Sequence, residues 1–239
     1  MTQALQELLL KGAEEMGIPM TPSQADQMAQ YHGMLTEANR KMNLTRVSED
    51  AEESVKRNYL DSIAVLAGDV PHEGRVIDVG SGAGLPGIPL AIMLPDVRFT
   101  LLDSMEKRTR FLQSVADALS LSVTVVNARA EEAAAEPLHR EQYDLAIARG
   151  VARLNVLCEY LLPFVRKGGS MIALKGPAAE EELTEAAHAI RVLGGGKAQI
   201  SPLVIPGTDW DHRGVWIRKT KETPREYPRT PAAMKKHPL

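Results

Sequence analysis

A glycine-rich turn near the middle of the chain constrains its fold more than any other feature. The run Asp78-Val-Gly80-Ser-Gly82-Ala-Gly84-Leu-Pro86-Gly87 follows a short apolar segment at residues 75–79 and leads into a helical pattern. Closely spaced glycines let a backbone take positive φ angles and approach a ligand without a Cβ clash. A buried strand, a tight turn and a helix in this order predict the first unit of a Rossmann-like domain, with a ligand at the carboxyl end of the strand.

Strands and helices alternate after this turn. Apolar runs typical of strands lie at 99–103, 123–127, 145–148 and 170–175, and helical patterns lie at about 87–94, 105–120, 151–166 and 178–193. This alternation predicts an α/β fold with a mainly parallel, doubly wound sheet. Residues 198–205 and 214–220 resemble two strands joined through Pro206-Gly207, which predicts an antiparallel hairpin at the edge of the sheet.

Two segments flank this domain, which we expect to span residues 71–220. Residues 1–70 have helical periodicity, and Thr21-Pro22 is a strong helix start, so an N-terminal helical extension is expected. Residues 221–239 contain four prolines and no periodicity, so we expect a basic, extended tail.

Charge is distributed unevenly along the chain. The net charge is −3, but residues 218–239 hold seven Lys or Arg and two Glu, a net +5, which leaves 21 basic and 29 acidic residues elsewhere. A single cysteine, Cys158, cannot form an internal disulfide or a Cys-based zinc site, and no metal is expected. We expect a cytoplasmic protein, and no apolar run reaches the length of about 18 residues that a membrane span needs.

Two ligand classes compete for the glycine turn. Gly82-Ala-Gly84-Leu-Pro-Gly87 matches the dinucleotide pattern G-x-G-x-x-G, and Asp103 ends the next strand, where a ribose-binding acid belongs. However, Pro86 lacks the N–H that a pyrophosphate requires at a helix start. S-adenosylmethionine has no phosphate. It needs an acid near its cationic amino-acid end and close contact with the backbone. Asp78 can supply the acid, and residues 80–84 can supply the backbone contact.

Two acids near the strand ends have alternative roles. Asp103 can accept hydrogen bonds from ribose hydroxyls, or it can cap the helix that begins near Met105. Glu131, next to Ala130, can read an adenine edge, or it can be a solvated acid stabilised by a helix dipole.

Several motifs occur together in one order. They are Asn43-Leu-Thr45, Leu60-Asp61-Ser62, the run from Asp78 to Pro89, Leu101-Leu-Asp-Ser104, Arg108 with Phe111-Leu112, Ala148-Arg149 and Ala173-Leu-Lys-Gly176. With them, the chain resembles the RsmG (GidB) family of 16S rRNA guanine-N7 methyltransferases over about residues 25–220. The G-L-P-G-I-P extension and the A-L-K-G block are more specific than the glycine loop alone.

This resemblance implies a class I methyltransferase fold, S-adenosylmethionine as cofactor, and methylation of a guanine N7 in 16S rRNA. The positions that match donor contacts are Gly80, Leu85, Asp103, Ser104, Met105, Ala130, Glu131 and Arg149. The positions that match polar residues of the active cleft are Asn43, Arg149, Lys175 and Arg213. The family often has a histidine before its I-L-D-S motif, whereas Arg57-Asn58-Tyr59 stand here, so the role of that histidine is not transferred.

Guanine N7 has a lone pair and no proton, so its methylation needs alignment rather than a general base. The expected partner is 16S rRNA or the 30S subunit, and the protein is expected to be a monomer. One alternative is an NAD-dependent oxidoreductase, which would need a proton-transferring residue at the cleft. Another is an assembly factor that binds the donor and RNA without transferring the methyl group.

Overall fold

A twisted sheet of seven strands forms the centre of the protein. The computed structural model describes residues 2–42, 48 and 50–239. The strands are β1 Gly74–Val79, β2 Val97–Asp103, β3 Val123–Asn127, β4 Tyr143–Arg149, β5 Val165–Lys175, β6 Gly195–Pro202 and β7 Arg213–Lys219. Their spatial order is β3-β2-β1-β4-β5-β7-β6.

The strand pairing confirms the predicted doubly wound α/β fold. The first five strands are parallel, whereas β7 is antiparallel to both β5 and β6. The edge hairpin is therefore present, with β7 inserted next to β5. Strand order reverses between β1 and β4, and the crevice at such a switch point is where open α/β sheets bind ligands.

The described residues form eleven α-helices. They are α1 Thr2–Glu15, α2 Pro22–Met42, α3 Ala51–Ser54, α4 Asp61–Ile63, α5 Gly87–Met93, α6 Glu106–Ala118, α7 Ala130–Ala133, α8 Leu154–Leu161, α9 Ala179–Glu185, α10 Ala187–Val192 and α11 Pro231–Lys236. A π-helical turn, Val55–Leu60, joins α3 to α4. Among the described residues, no helix is both long enough and apolar enough to cross a bilayer.

The start of α2 shows why the N-terminal helices form where the sequence predicts. Thr21 Oγ1 accepts a hydrogen bond from the Gln24 N–H at 3.2 Å, and Gln24 Oε1 accepts one from the Thr21 N–H at 2.8 Å. This reciprocal capping box satisfies two backbone donors that a helix start otherwise leaves unpaired.

Alternate residues of each strand enter separate cores on the two faces of the sheet. Val76 and Leu101 pack with the N-terminal helices, whereas Ile77 and Leu102 belong to the core beneath α8. The apolar strand runs reflect this arrangement, because a parallel strand buried on both faces has no polar side to alternate. The N-terminal helices therefore cover one face of the sheet.

Two predicted helix boundaries were wrong. The pattern over 151–166 predicted one long helix, but α8 ends at Leu161 and β5 begins at Val165. Residues 161–165, which span the junction, are all buried, and periodicity alone cannot distinguish a buried strand from a buried helix. The helix predicted at 178–193 is interrupted at Ala186, between α9 and α10.

The prediction of an extended tail over residues 221–239 was wrong for its last part. Residues 231–236 form α11, which Thr230 caps through the Ala233 N–H, and Met234 of this helix is 1% exposed. Upstream of α11, the Arg140 guanidinium donates to the carbonyl oxygens of Thr223, Pro224 and Tyr227. These contacts between residues far apart in the sequence hold the tail against the segment before β4. The local periodicity of the sequence does not reveal them.

Candidate functional site

A cavity of about 300 Å³ opens at the carboxyl ends of β1, β2 and β4. Six residues predicted to contact the donor line it: Gly80, Asp103, Ser104, Ala130, Glu131 and Arg149. Its volume lies at the lower end of the range for small-molecule sites. The topological switch point of the sheet thus coincides with the predicted donor site.

The glycine loop forms one wall of this first cavity. The N–H groups of Gly80 and Ser81 both donate to the Leu102 carbonyl, at 2.8 and 3.0 Å, which fixes the loop against the end of β2. Gly80 has φ +75°, and a Cβ there would come within 2.8 Å of Val151 Cγ2 on the opposite wall. Only glycine keeps this part of the cavity open.

The carboxylate of Asp103 holds the loop and the start of α6 together. Its Oδ2 accepts from the Gly82 N–H at 2.9 Å and lies 3.4 Å from Arg108, and its Oδ1 accepts from the Met105 N–H at 2.9 Å. Each carboxylate oxygen has two lone pairs, so Oδ1, which has one donor, retains room for another, whereas Oδ2 already has two. The alternative role of Asp103, a hydrogen bond at the start of α6, is thus present. Because Asp103 also lies on the cavity wall, the structure still allows the predicted ribose contact.

Asp78 lies beneath the loop and is fully buried. Its Oδ2 accepts from the Gly87 N–H at 3.1 Å, whereas its Oδ1 has no hydrogen-bond partner among the described residues. Burial raises the pKa of this carboxyl to about 7, although the hydrogen bonds of Gly87 and Ser81 and the charge of Arg149 oppose the rise. An acceptor of this kind suits a cationic group above it.

Five predicted donor contacts do not lie among the residues lining the first cavity: Asp78, Gly82, Gly84, Leu85 and Met105. Gly82 acts through its hydrogen bond to Asp103. At Gly84, φ is +98° and a Cβ would meet Ile88 Cγ1 at 2.6 Å, so this glycine permits close packing. Leu85 is buried, and Met105 is 40% exposed.

The far wall is formed by Glu131, Arg129 and Tyr160. Glu131 is in the first turn of α7 and forms an ion pair with Arg129 at 2.5 Å. The sequence alone gave no indication of Tyr160, because it lies in the middle of the apolar pattern of α8 and reads as a core residue.

A second cavity, of about 290 Å³, adjoins the first and shares Arg149 and Gly150 with it. Arg149 donates from one terminal nitrogen to Asp61 Oδ2 at 2.6 Å and to the Arg57 carbonyl at 3.1 Å. His212 Nδ1 lies 2.7 Å from the other oxygen of Asp61. Arg149 therefore lies between the two cavities, as a residue between a methyl donor and a methyl acceptor would.

The electrostatics of Asp61 are dominated by these two partners. Burial acts to raise the pKa of Asp61, but the hydrogen bond from His212 and the charge of Arg149 outweigh it, and the pKa lies below its ordinary value. Asp61 is therefore ionised at neutral pH. Sequence analysis identified Asp61 within a motif but did not link it to His212, because the two are 151 positions apart.

The other predicted cleft residues have separate environments. Lys175 lines the second cavity, pairs with Glu182 at 2.7 Å and donates to the Ala152 carbonyl at 2.6 Å. Arg213 pairs with Asp211 at 2.6 Å and with Glu180. Asn43 lies outside the described residues.

The residues in and beneath the first cavity fit S-adenosylmethionine. The unpaired oxygen of Asp78, which lies beneath the glycine loop and not on the cavity wall, matches a cationic amino-acid end. Oδ1 of Asp103 has capacity for a hydroxyl donor, and the positive φ of Gly80 permits close backbone contact. No phosphate-binding helix start is needed, in agreement with the position of Pro86 immediately before α5.

Comparisons with known proteins identify the family of this chain. The family model described as rRNA small subunit methyltransferase G (GidB) matches residues 24–206. A ribosomal RNA small subunit methyltransferase G from Alkaliphilus metalliredigens is 45% identical, over 97% of this chain and 98% of that protein.

Solved structures agree with the fold. A predicted O-methyltransferase from Agrobacterium tumefaciens has a TM-score of 0.53 at 21% identity, covering 69% of this chain and 82% of that one. Fibrillarin from Aeropyrum pernix, solved with natively bound S-adenosylmethionine, has a TM-score of 0.50 at 16% identity, covering 68% of this chain and 75% of that one. The class I methyltransferase fold is therefore confirmed. The match of the family model and the full-length identity together place the chain in the rRNA small subunit methyltransferase G family, as its motifs indicated.

Proposed function

We propose that this protein transfers the methyl group of S-adenosylmethionine to N7 of a guanine in 16S rRNA. The observation that carries the proposal is the pair of adjoining cavities that share Arg149, in a chain of this family. One space suits the donor, and the other opens next to it for the acceptor.

Bound S-adenosylmethionine supplies an electrophilic methyl group on a positively charged sulfur. Guanine N7 attacks with an in-plane lone pair and releases no proton, so the chain needs no general base. Its residues bind and orient the two reactants and exclude water. Asp103 binds the ribose hydroxyls, and the glycine loop fixes the donor along the edge of β1.

Arg149 positions both reactants. Its contacts with Asp61 and the Arg57 carbonyl hold the guanidinium in place, and they leave other N–H groups for guanine O6. The methylated base becomes cationic as the donor loses its charge. The ion pair with Asp61 limits repulsion between Arg149 and this product.

We further propose that the substrate is the rRNA within the 30S subunit, that the enzyme is a cytoplasmic monomer, and that the tail contacts RNA phosphates. Lys219 and Arg229 are held internally by Glu141 and Glu159. The exposed basic residues of this region are Arg218, Lys221, Arg225, Lys235 and Lys236. Binding through them would weaken steeply with salt. In this scheme residues 71–220 catalyse, and residues 1–70 and 221–239 support the catalytic domain.

The test is incubation with a tritiated methyl donor and 30S subunits or free 16S rRNA, followed by mapping of the label. We expect label at N7 of one guanine. An Asp103→Asn variant should bind S-adenosylhomocysteine about 10- to 100-fold more weakly, because a charge-assisted hydrogen bond contributes about 1.5–3 kcal/mol. Asp117→Asn, on the exposed side of α6, is the matched control and should bind normally.

Donor binding without label in RNA would favour the assembly-factor alternative. Binding of NAD in place of S-adenosylhomocysteine would favour the oxidoreductase. Donor affinity that is unchanged in Asp103→Asn would exclude the ribose role of Asp103.

A further inference from the structure

The second cavity has the chemical character of a purine pocket. Its polar side chains are Asp61, Arg149, Lys175 and His212, and two buried leucines, Leu174 and Leu203, provide apolar walls. Enzymes that modify a nucleobase turn it out of the stack into such a pocket, between apolar groups and polar groups that read its edge.

The ring of His212 is fixed in this cavity from two sides. Nδ1 lies 2.7 Å from Asp61 Oδ1, and the ring centroid lies 5.3 Å from that of Trp210. Trp210 is in turn covered by the guanidinium of Arg57, 4.9 Å above its ring. The side chain is still 31% exposed, so the ring is oriented and accessible at once.

The contact with Asp61 sets the hydrogen-bonding role of His212. An ionised carboxylate only accepts hydrogen bonds, so the proton of the neutral imidazole lies on Nδ1, and Nε2 is left as an acceptor. Asp61 accepts one hydrogen bond on each oxygen, from His212 and from Arg149, and its side chain is only 7% exposed against 31% for His212. Among the described residues of this cluster, the accessible acceptor is thus Nε2 of His212.

The hydrogen-bond donors of the cavity are Lys175 and Arg149. Lys175 has three N–H groups, two of which go to Glu182 and the Ala152 carbonyl in the described part of the chain. Arg149 borders the donor cavity, and the Asp61 carboxylate separates it from His212. Arg149 thus places a hydrogen-bond donor next to the first cavity, whereas the acceptor His212 lines only the second cavity.

Guanine matches this polarity. Its N7 and O6 are acceptors on one edge, and its exocyclic N2 amino group is a donor on the opposite side of the base. Adenine lacks this amino group, so it offers no donor at that position. With N7 toward the first cavity, N2 points away from Arg149.

On the basis of the function proposed above, we propose that the second cavity holds the target guanine and that His212 Nε2 accepts a hydrogen bond from its N2 amino group. His212 is then a residue that determines base specificity, and Asp61 positions it.

The test compares two changes that remove the same hydrogen bond. In the RNA, inosine replaces the guanosine identified by label mapping, which removes only the N2 amino group. In the protein, His212→Ala removes the ring, whereas His212→Asn keeps a donor for Asp61 and removes Nε2. His188→Ala, an exposed histidine of α10, is the control.

We expect inosine to lower kcat/KM about tenfold, or about 1.4 kcal/mol, for the wild type and for His188→Ala, because Nε2 of His212 is then left without a donor in the complex. Both His212 variants should lose a similar factor on guanosine and show no further loss on inosine, because coupled changes are not additive. Their affinity for S-adenosylhomocysteine should stay within about twofold of the wild type, as His212 does not line the first cavity.

An equal inosine penalty in the wild type and in His212→Asn would overturn the proposal, as would wild-type activity of His212→Asn on guanosine. Weakened donor binding in His212→Asn would also overturn it, because it would indicate a purely structural role. Absence of label in 16S rRNA with the wild-type protein would instead contradict the proposed function.

Discussion

At the scale of single residues, Asp78 is the most unusual group of the site. Its carboxyl is fully buried, and it receives a hydrogen bond from Gly87 at the start of α5. Burial raises its pKa to about 7. Burial of a charge without full compensation is unfavourable for folding, so we infer that this residue is retained for donor binding.

The raised pKa gives Asp78 a defined effect on stability. The stabilisation that comes from protonation is fully present below the unfolded pKa of about 4, and it is lost as the pH rises through the folded pKa of about 7. Asp78→Asn stays neutral and keeps an acceptor for Gly87. The variant should therefore gain stability relative to the wild type between pH 5 and pH 8, by about 2–4 kcal/mol at most.

Urea unfolding of both proteins at the two pH values measures this difference. A stability difference that does not change with pH would contradict the shifted pKa. The same variant should bind S-adenosylhomocysteine more weakly at pH 8, because the buried anion is lost.

The position of individual residues in the fold could be predicted where a strand end or the glycine loop defined it. Asp103 and Arg149 each end a strand, so the parallel sheet brings them to the same edge. The pairing of Asp61 with His212 depends on how the N-terminal helices dock on the sheet. No local pattern encodes that docking, so the second cavity could not be predicted.

At the scale of elements, α2 is coupled to the glycine loop. The hydroxyl of Tyr31 donates to the Ala83 carbonyl at 2.6 Å, and both residues are buried. Tyr31 also packs edge-on against Tyr59, with ring centroids 5.9 Å apart. The N-terminal helices thus brace the loop that forms the donor cavity.

Removal of this hydroxyl tests the coupling. Tyr31→Phe leaves the buried Ala83 carbonyl unpaired, which should cost about 1–3 kcal/mol of stability and weaken binding of S-adenosylhomocysteine several-fold. Tyr59→Phe is the matched control, because its hydroxyl contacts His32 at 2.9 Å and not the loop. Thermal unfolding and calorimetry measure both effects; equal donor affinity in the two variants would refute the bracing role.

The boundaries of some predicted helices and strands were wrong. The strands were found because each is a short apolar run with glycine or polar residues at its ends. The α8–β5 junction was missed because Pro163 falls within a continuous apolar segment, where one buried element follows another without a polar break. The element boundaries that failed are those without a local chemical signal.

At the scale of the whole molecule, ionic contacts close the tail onto the sheet. Lys219 is fully buried at the end of β7, and its ammonium donates to Glu141 at 2.8 Å, to the Leu162 carbonyl at 2.7 Å and to Thr223 at 2.7 Å. Glu141 also accepts from the Thr223 N–H at 2.8 Å. One ion pair therefore joins β7, the start of the tail and the segment before β4.

Glu141→Gln should destabilise the protein by about 3 kcal/mol, because it leaves a buried ammonium without its counter-charge. Burial lowers the pKa of Lys219, and the hydrogen bond and charge of Glu141 oppose this, so Glu141→Gln should lower that pKa further.

Adding Lys219→Met to Glu141→Gln should regain part of the lost stability, since an apolar side chain needs no partner. Glu136→Gln, an exposed neighbour, should unfold like the wild type. Urea unfolding gives the stability of the wild type and of these three variants, and limited proteolysis reports whether residues 221–239 detach. A tail that is cleaved equally fast in the wild type and in Glu141→Gln would show that this ion pair does not hold it.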